Sequence, residues 1–503
     1  MCRFVCQRCN WAFEITTKRI KEQNMGKPLC VFEAPLMTRS GYGDWAMTLV
    51  KSLLRHNKYD IHIIPTIWGA CSKRNLDAEM NDPEGREVLN RVLRGPLARQ
   101  PDIYMKVSIP NELVPHGKYN IILTAGIESS VPAAPWIEGI NRANLCIVTS
   151  QHVKDVFTGA TYTKKLPNGT TEPLKMKTPC EILFWGADTR YYHKTQEKVP
   201  SLEEVMAAVK ESFSFLFVGQ WTAGNMRADR KAIGFLIKTF LETFAGIDNP
   251  PALILKTSGA QLNTMDRYDC INKVTEVTNL VKGSMPNAKL PNVYLLHGEL
   301  TDVEMNALYN HEKVKAHVSF VHGEGFSAPA LLQTLTGKPT IYPHWSGHLD
   351  FLNPNYATFF PGKLVPIPDE ALNDWFIKEA QWFDVDYAEA GKMMKNVFYN
   401  YDGYTENAER LRVENMEKFS ITAMDKVFHA LLDKYVPQFA VEETIKLPKL
   451  KRISLPTVKP VNVPETSNPV TASNVVIPAS GCTPQNSQSI PETSVKPTID
   501  KVK

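Results

Sequence analysis

The sequence predicts an α/β protein with two Rossmann-like domains that face one another across a cleft, a C-terminal helix crossing back, and a disordered tail. In both halves of the 503-residue chain, short apolar runs alternate with segments of helical periodicity, which is the pattern of repeated strand–helix units. Most of these runs are uninterrupted, as expected of parallel strands covered on both faces. The chain is also too long for one ordinary domain.

The first α/β unit opens near Lys27 with a strand at 29–35, a glycine-bearing loop at 38–45 and a helix at 46–56. Its other predicted elements are strands at 59–65, 119–126 and 143–150, a helix at 151–160, and a hairpin at 163–175 around an Asn168–Gly169 turn.

The second unit begins near residue 211. Its predicted strands lie at 214–221, 251–258, 292–298 and 314–321, and its helices at 231–244 and 301–311. Thr301 is well placed as the N-cap of the latter helix. A long helical tract, 407–436, is expected to pack back across the joint between the two units.

These elements divide the chain into six parts. They are an N-terminal extension (1–26), an N-terminal Rossmann-like domain (27–185), a linker (186–210), a C-terminal Rossmann-like domain (211–400), a helical segment (401–438) and a tail (439–503). From Val441 onward the tail contains no Phe, Trp or Tyr. It therefore buries too little apolar surface to offset the entropy of ordering, and we predict that it is disordered.

The overall composition excludes several classes of protein. Hydrophobic residues make up 43% of the chain and charged residues 22%, as in soluble globular proteins. A net charge of +4 gives no reason to expect nucleic-acid binding, and no apolar run reaches the length of a transmembrane helix. The N-terminus lacks the apolar region of a secretory signal, so we expect a cytoplasmic protein.

Three of the nine cysteines, Cys2, Cys6 and Cys9, are close together in sequence. Their spacing could hold an iron–sulfur cluster or, with Cys30 as a fourth ligand, a zinc ion. Arg8 stands where radical enzymes with such a cluster carry an aromatic residue, and only Met1 precedes Cys2. We therefore favour a loose extension, and we expect the scattered cysteines to be reduced thiols.

The stretch VSFVHGEGFSAPALLQTLTG (318–337) predicts a strand, a loop and a helix, with Ser327 as the N-cap and Gly337 just past the helix end. A helix N-terminus at the carboxyl end of a parallel strand suits a phosphate. Glu324, between two glycines, suits instead sugar hydroxyls or positive charge that develops on a sugar carbon. Together these features suggest a nucleotide-sugar whose glycosidic bond is being broken.

The segments HGEGFSAP, TGKPTI and WSGHLDFL resemble the donor site of retaining glycosyltransferases of the GT-B fold, and of family 4 in particular, whose signature is E-x7-E. The segments SGYG, GIESSVPAAPW, FWGAD, FVGQW, DRKAIGFLIKTF and LLHGELTDVEMNALY resemble the family in the family's order, so that the resemblance covers roughly residues 28–352. It implies that the N-terminal domain binds an acceptor and the C-terminal domain a nucleotide-sugar donor.

The resemblance also implies catalytic roles for Glu324, beside the reacting sugar carbon, and for Lys231, on the diphosphate. Gly41 and Gly43 match a loop that closes on the phosphates, and Leu300 lies where the backbone meets the base. Gly325, Phe326 and Ser327 match the turn whose amides hold the diphosphate, and Asp350 is a further candidate for donor binding. Arg227 or Arg230 could supply the charge of an arginine that the family carries at another position.

The expected reaction is transfer of a hexose from a nucleoside diphosphate sugar to a carbohydrate, lipid or protein acceptor, with retention and without a metal or other cofactor.

The sequence departs from the family at Leu332, which takes the place of the second signature glutamate, and at Gln220, which replaces an arginine. Glu128 lies where many relatives have a histidine. These departures leave open a GT-B epimerase or phosphorylase, and a non-catalytic GT-B-like binding or structural protein.

Overall fold

The structure is a computed structural model that describes residues 26–502, apart from residues 70, 75, 223–224, 260–261 and 441–495. Cys2, Cys6 and Cys9, and most of the predicted tail, lie outside the described residues. Within the described ranges, none of the helices combines the length and the apolar character needed to cross a bilayer.

The N-terminal half forms a parallel sheet with a helical layer and one protruding hairpin. Its strands are β1 (Leu29–Ala34), β2 (Asp60–Pro65), β3 (Ile103–Val107), β4 (Tyr119–Thr124), β5 (Leu145–Val148) and β8 (Cys180–Ile182), and the hairpin is β6 (Thr161–Lys165) with β7 (Thr171–Lys175). Its helices are α1 (Gly41–His56), α2 (Leu76–Asn81), α3 (Pro83–Asn90), α4 (Ala134–Ile140) and α5 (Gln151–Gly159). The six-stranded sheet has the order β2-β1-β3-β4-β5-β8.

The C-terminal half forms a second sheet of the same kind. Its strands are β9 (Ser214–Gln220), β10 (Ala252–Ser258), β11 (Val293–His297), β12 (Val314–Val318), β13 (Thr340–Pro343) and β14 (Thr358–Phe360), with β15 (Gly362–Pro366) and β16 (Gln381–Val385) as a separate hairpin and β17 (Thr498–Val502) at one edge. Its helices are α6 (Pro200–Met206), α7 (Ile233–Thr243), α8 (Thr264–Ser284), α9 (Asp302–Asn310), α10 (Ala328–Thr334) and α11 (Tyr387–Tyr399). The sheet order is β14-β13-β12-β9-β10-β11-β17, and β17 alone among these strands runs antiparallel to its neighbour.

Both faces of each sheet are covered, which explains the uninterrupted apolar runs. In β4, Ile121 packs into one core and the next residue, Ile122, into the core on the opposite face. In β9, Phe215 and Leu216 divide in the same way. Because neighbouring side chains in a strand point to opposite faces, a strand buried on both sides has no polar alternation.

Two final helices connect the halves. Leu411 of α12 (Asp402–Lys418) lies in a core of the second sheet, whereas Met424, Phe428 and Leu432 of α13 (Ile421–Tyr435) lie in a core of the first. The helical segment thus crosses back, as predicted.

Four local predictions need correction. The segment expected to be a loop at 38–45 enters α1 at Gly41, because the Ser40 hydroxyl accepts the Gly43 N–H and caps the helix. The tract 407–436 is two helices, since Ser420 pairs with Ala187 and caps α13. The last residues of the predicted tail form β17, because the edge of β11 offers them backbone partners.

The fourth correction concerns Ser327. It is the residue before α10, as predicted, but its backbone is left-handed with φ 75° and its side chain makes no cap hydrogen bond. Its hydroxyl lies instead 3.5 Å from the Glu324 carboxylate. By contrast, Thr301 is confirmed as the cap of α9, where it forms a capping box with Glu304.

Candidate functional site

The loop that follows β12 lies where parallel strands present their carboxyl ends, which is where open α/β sheets bind ligands. The Glu324 N–H donates to the Ser346 hydroxyl at 3.0 Å, and the Gly347 N–H donates to the Glu324 carbonyl at 2.9 Å. The loop after β13 therefore fixes the backbone of Glu324 on both sides and determines where its carboxylate points.

The Glu324 carboxylate forms an ion pair with the Lys231 ammonium group, which reaches it from the loop before α7. Both side chains are largely buried, with 13% and 14% of their surface exposed. Sequence reasoning placed both residues at one catalytic centre, and the structure brings them into direct contact across 93 positions of the chain.

Charge and burial act in opposite directions on this pair. Burial raises the pKa of the Glu324 carboxyl, but the charges of Lys231 and Arg230 outweigh it and hold that pKa below its usual value. Burial lowers the pKa of Lys231, and the charge of Glu324 opposes that effect. The carboxylate is therefore ionised at neutral pH, and removal of either partner would leave a buried charge unpaired.

The N-terminal domain contributes a second ion pair beside the first. Arg230 Nη1 lies 2.9 Å from the Glu128 Oε1, and the charge of Glu324 also acts on Arg230. Glu128 follows β4, so its carboxylate comes from the carboxyl edge of the first sheet. The cations Lys231 and Arg230 and the carboxylates Glu324 and Glu128 thus lie together where the edges of the two sheets meet.

The glycines of the motif allow this close approach. A Cβ atom at Gly325 would overlap the carbonyl oxygen of Ala125, and one at Gly323 would lie 2.5 Å from the Glu128 carbonyl oxygen. The Gly325 carbonyl accepts a hydrogen bond from the Thr149 hydroxyl at 3.0 Å. The domains therefore touch through backbone at a place where no other residue type fits.

A cavity of about 140 Å³ lies at the neighbouring strand ends, where β9, β10 and β11 terminate. Arg39 and Ser72 line it from the N-terminal domain. From the C-terminal domain it is lined by Gln220, Lys256, Ser258 and residues 298–300, among others. Gln220, the residue that departs from the family's arginine, thus faces a cavity.

Two positively charged side chains, those of Arg39 and Lys256, line this cavity. Arg39 Nε lies 3.2 Å from Glu299 Oε1, which links the two domains, and Lys256 donates to the Gly298 carbonyl at 2.9 Å. Burial, reinforced by the charge of Arg39 and opposed by Glu299, lowers the pKa of Lys256 to about 8. A bound anion would relieve this cost, so the cavity favours negatively charged ligands.

The remaining predicted residues occupy varied positions. Gly41 has open space beside it, whereas Gly43 is packed against the Thr38 and Pro35 carbonyl oxygens. Arg227 is exposed and lies 3.8 Å from Glu370, apart from the Lys231 pair. Two further residues have their side chains engaged elsewhere: Phe326 packs on Phe351, and Asp350 accepts the Gln151 N–H at 2.9 Å.

Leu300 lines the cavity, and its carbonyl lies 3.5 Å from Arg39 Nη2. Leu332, in the place of the second signature glutamate, is 8% exposed and belongs to an apolar core. The α10 face at that position therefore contacts the protein interior, and no carboxylate is supplied from there.

No sequence pattern indicated that several further residues belong to the site. Arg39, Lys256 and Glu299 belong to three separate segments that only the fold brings together. His348 is buried within range of the Glu324 charge, and His152 is half-buried within range of His348. Burial lowers the pKa of each to about 4, so both rings are neutral at pH 7. His348 donates to the Pro343 carbonyl at 2.7 Å, and His152 packs edge-on against Trp345.

The search for related sequences found no match to a protein-family model and none to a curated protein. Solved structures do match. A glycosyltransferase from Rickettsia africae is similar over 82% of this chain and 99% of its own, with a TM-score of 0.52 at 12% identity.

A sucrose-phosphate synthase from Thermosynechococcus elongatus is similar over 81% of this chain and 98% of its own, with a TM-score of 0.52 at 9% identity. At such identities the likeness concerns architecture alone. The chain therefore has the GT-B fold, in which two Rossmann-like domains face one another across a cleft.

Proposed function

We propose that this protein is a retaining glycosyltransferase, similar to family 4, that transfers a hexose from a nucleoside diphosphate sugar to an acceptor held by the N-terminal domain. The observation that carries the proposal is the buried Lys231–Glu324 pair, with Arg230 beside it, at the carboxyl edge of the second sheet. The fold is shared with a glycosyltransferase and a sucrose-phosphate synthase, which supports this proposal.

The two charges of the pair suit the two ends of a breaking glycosidic bond. Departure of the diphosphate places negative charge on the leaving group, which Lys231 and Arg230 would stabilise. Positive charge develops on the sugar carbon, and the ionised Glu324 would face it. Because these two cations already supply the neutralising charge, we propose that transfer needs no metal ion or other cofactor.

The cavity would hold part of the nucleoside end of the donor. The strands β12, β9, β10 and β11 are consecutive in the sheet, and neighbouring strands lie about 4.8 Å apart, so their ends span on the order of 14 Å. The Lys231 pair lies at one end of this row and residues 298–300 at the other. We assign the sugar to the first end, the nucleoside to the second and the diphosphate to the middle of the row, between Lys231 and Lys256 of β10.

The decisive experiment is incubation of the full chain with UDP-, GDP- and ADP-hexoses in the presence of carbohydrate, lipid and protein acceptor mixtures. We expect one donor to release its nucleoside diphosphate, with the labelled sugar on an acceptor in the anomeric configuration of the donor. A labelled sugar that changes configuration without transfer would indicate an epimerase instead. Transfer to or from inorganic phosphate would indicate a phosphorylase.

A non-catalytic binding protein is the second candidate, and the burial of Leu332 in the core favours it. It predicts that a nucleotide-sugar or nucleotide binds tightly while no donor in the panel is consumed. The same panel, read by isothermal titration as well as by product formation, separates the two candidates.

Nucleotide affinity should depend on pH through Lys256. With a pKa of about 8 the side chain is mostly charged at pH 7 and mostly neutral at pH 9, so the dissociation constant of a nucleoside diphosphate should rise with pH, by up to about tenfold per unit above the pKa. Titrations of UDP, GDP and ADP at pH 7, 8 and 9 measure this. A Lys256→Gln variant should bind more weakly at pH 7 and lose this dependence; parallel profiles for variant and wild type would contradict the assignment.

A further inference from the structure

The last strand of the chain completes the second sheet. β17 pairs antiparallel with β11 through five residue pairs, from Val293 with Val502 to His297 with Thr498. Without it, β11 would be an edge strand with unpaired backbone groups. A segment more than 190 positions away in sequence thus closes this edge.

Side chains anchor β17 on both of its faces. Asp500 accepts two hydrogen bonds from Arg267 of α8, at 2.8 and 2.5 Å. Val502 is 8% exposed and packs in one core, while Ile499 packs against the core on the other face. The strand is therefore held by a paired charge and by apolar burial as well as by its backbone.

The residues just before β17 pack against Gly298, which lines the cavity. A Cβ atom at Gly298 would lie 2.6 Å from the Pro497 Cα and 3.0 Å from the Lys496 carbonyl oxygen. Gly298 has φ +115°, a conformation that favours glycine. Its carbonyl accepts the hydrogen bond from Lys256, the buried cation of the cavity.

We propose that the C-terminal strand is a positioning element for the nucleotide cavity. By packing on Gly298, residues 496–502 hold the loop 298–300 in place, and through the Gly298 carbonyl they fix the ammonium group of Lys256. The ligand class, a nucleoside diphosphate, rests on the proposed function; the fixing of the loop rests on the contacts alone. Loosening of β17 should therefore weaken nucleotide binding although no residue of the strand lines the cavity.

A charge-reversal series in the full-length protein tests this inference. The variants are Asp500→Arg, Arg267→Asp and the double swap, and the matched control is Lys501→Glu, an exposed position of the same strand. The first readout is hydrogen–deuterium exchange of the backbone amides of 293–300, with β1–β5 as the internal reference. The second is the dissociation constant of UDP, GDP and ADP, each titrated alone.

We expect each single reversal to speed exchange in 293–300 but not in the reference strands, and to raise the nucleotide dissociation constant roughly threefold to tenfold. The double swap should restore both readouts, and Lys501→Glu should change neither. Unchanged exchange in the single variants would overturn the proposal, as would weakened binding that the double swap does not restore. If exchange responds and is restored but the wild-type protein binds none of the three nucleotides, the strand holds the loop as inferred and it is the proposed function that fails.

Discussion

Replacement of Lys231 by methionine is expected to lower the rate of sugar transfer roughly 10²-fold to 10³-fold, the cost of removing one preorganised group that stabilises developing negative charge. The methionine side chain keeps most of the lysine's volume but cannot neutralise a departing diphosphate. The measurement is kcat with the donor that the panel identifies, at saturating concentrations of both substrates.

Loss of Lys231 has a second consequence that must be separated from catalysis. Glu324 would remain in a largely buried site with less positive charge around it, and an unpaired buried charge destabilises the fold. The double variant Lys231→Met with Glu324→Gln removes both charges. We expect it to recover thermal stability relative to Lys231→Met while transfer stays low.

Lys238→Met is the matched control for this series. Lys238 lies on the adjoining helix α7 and pairs with Glu242 at 2.7 Å in a far more exposed setting. An exposed helix pair of this kind contributes about 0.3–0.5 kcal/mol, so kcat should stay near the wild-type value. A Lys231→Met variant within about threefold of that value would place the leaving group elsewhere, because the loss of a preorganised cation costs far more.

The sequence predicted the fold class because apolar runs and helical periodicity are local features of the chain. Apolar runs bounded by small polar residues predicted four strands of each sheet, β1, β2, β4 and β5 in the first and β9 to β12 in the second, but missed β3, β8, β13 and β14. The hairpin around Asn168–Gly169 forms where its turn residues indicated. The Lys231–Glu324 contact was reachable through family resemblance, which carries long-range information that periodicity lacks.

The sequence could not predict the cavity or the terminal strand β17, and the reason is physical. Lys256 ends an apolar run as a single charged residue, and nothing within β10 shows that Arg39 and Glu299 will face it. Residues 498–502 lack aromatic side chains and follow a long polar segment. They form a strand because β11 presents an unfilled edge, so their structure is determined by a partner and not by their own composition.

The junction between the domains gives the second large prediction, which concerns Gly325. In Gly325→Ala the added methyl group would overlap the Ala125 carbonyl oxygen, which is backbone and cannot turn aside as a flexible side chain can. Either the loop 323–327 or the loop after β4 must move. A displacement of about 1 Å at a catalytic centre costs on the order of 10²-fold in rate, so kcat/KM should fall by about that factor.

We expect the fall in kcat/KM to come from displacement of the loop 323–327 and not from the loss of a glycine as such. Gly283→Ala is the matched control, because a Cβ at Gly283 meets open space on the helix α8; it should leave kcat/KM unchanged and stabilise the fold by up to about 1 kcal/mol. The displacement should also weaken the bond from Thr149 to the Gly325 carbonyl, so Thr149→Val should add little to Gly325→Ala although it lowers activity alone. If Gly325→Ala transferred sugar at the wild-type rate, the close backbone contact between the domains would not belong to the catalytic arrangement, and the reacting sugar would have to be bound away from Glu324.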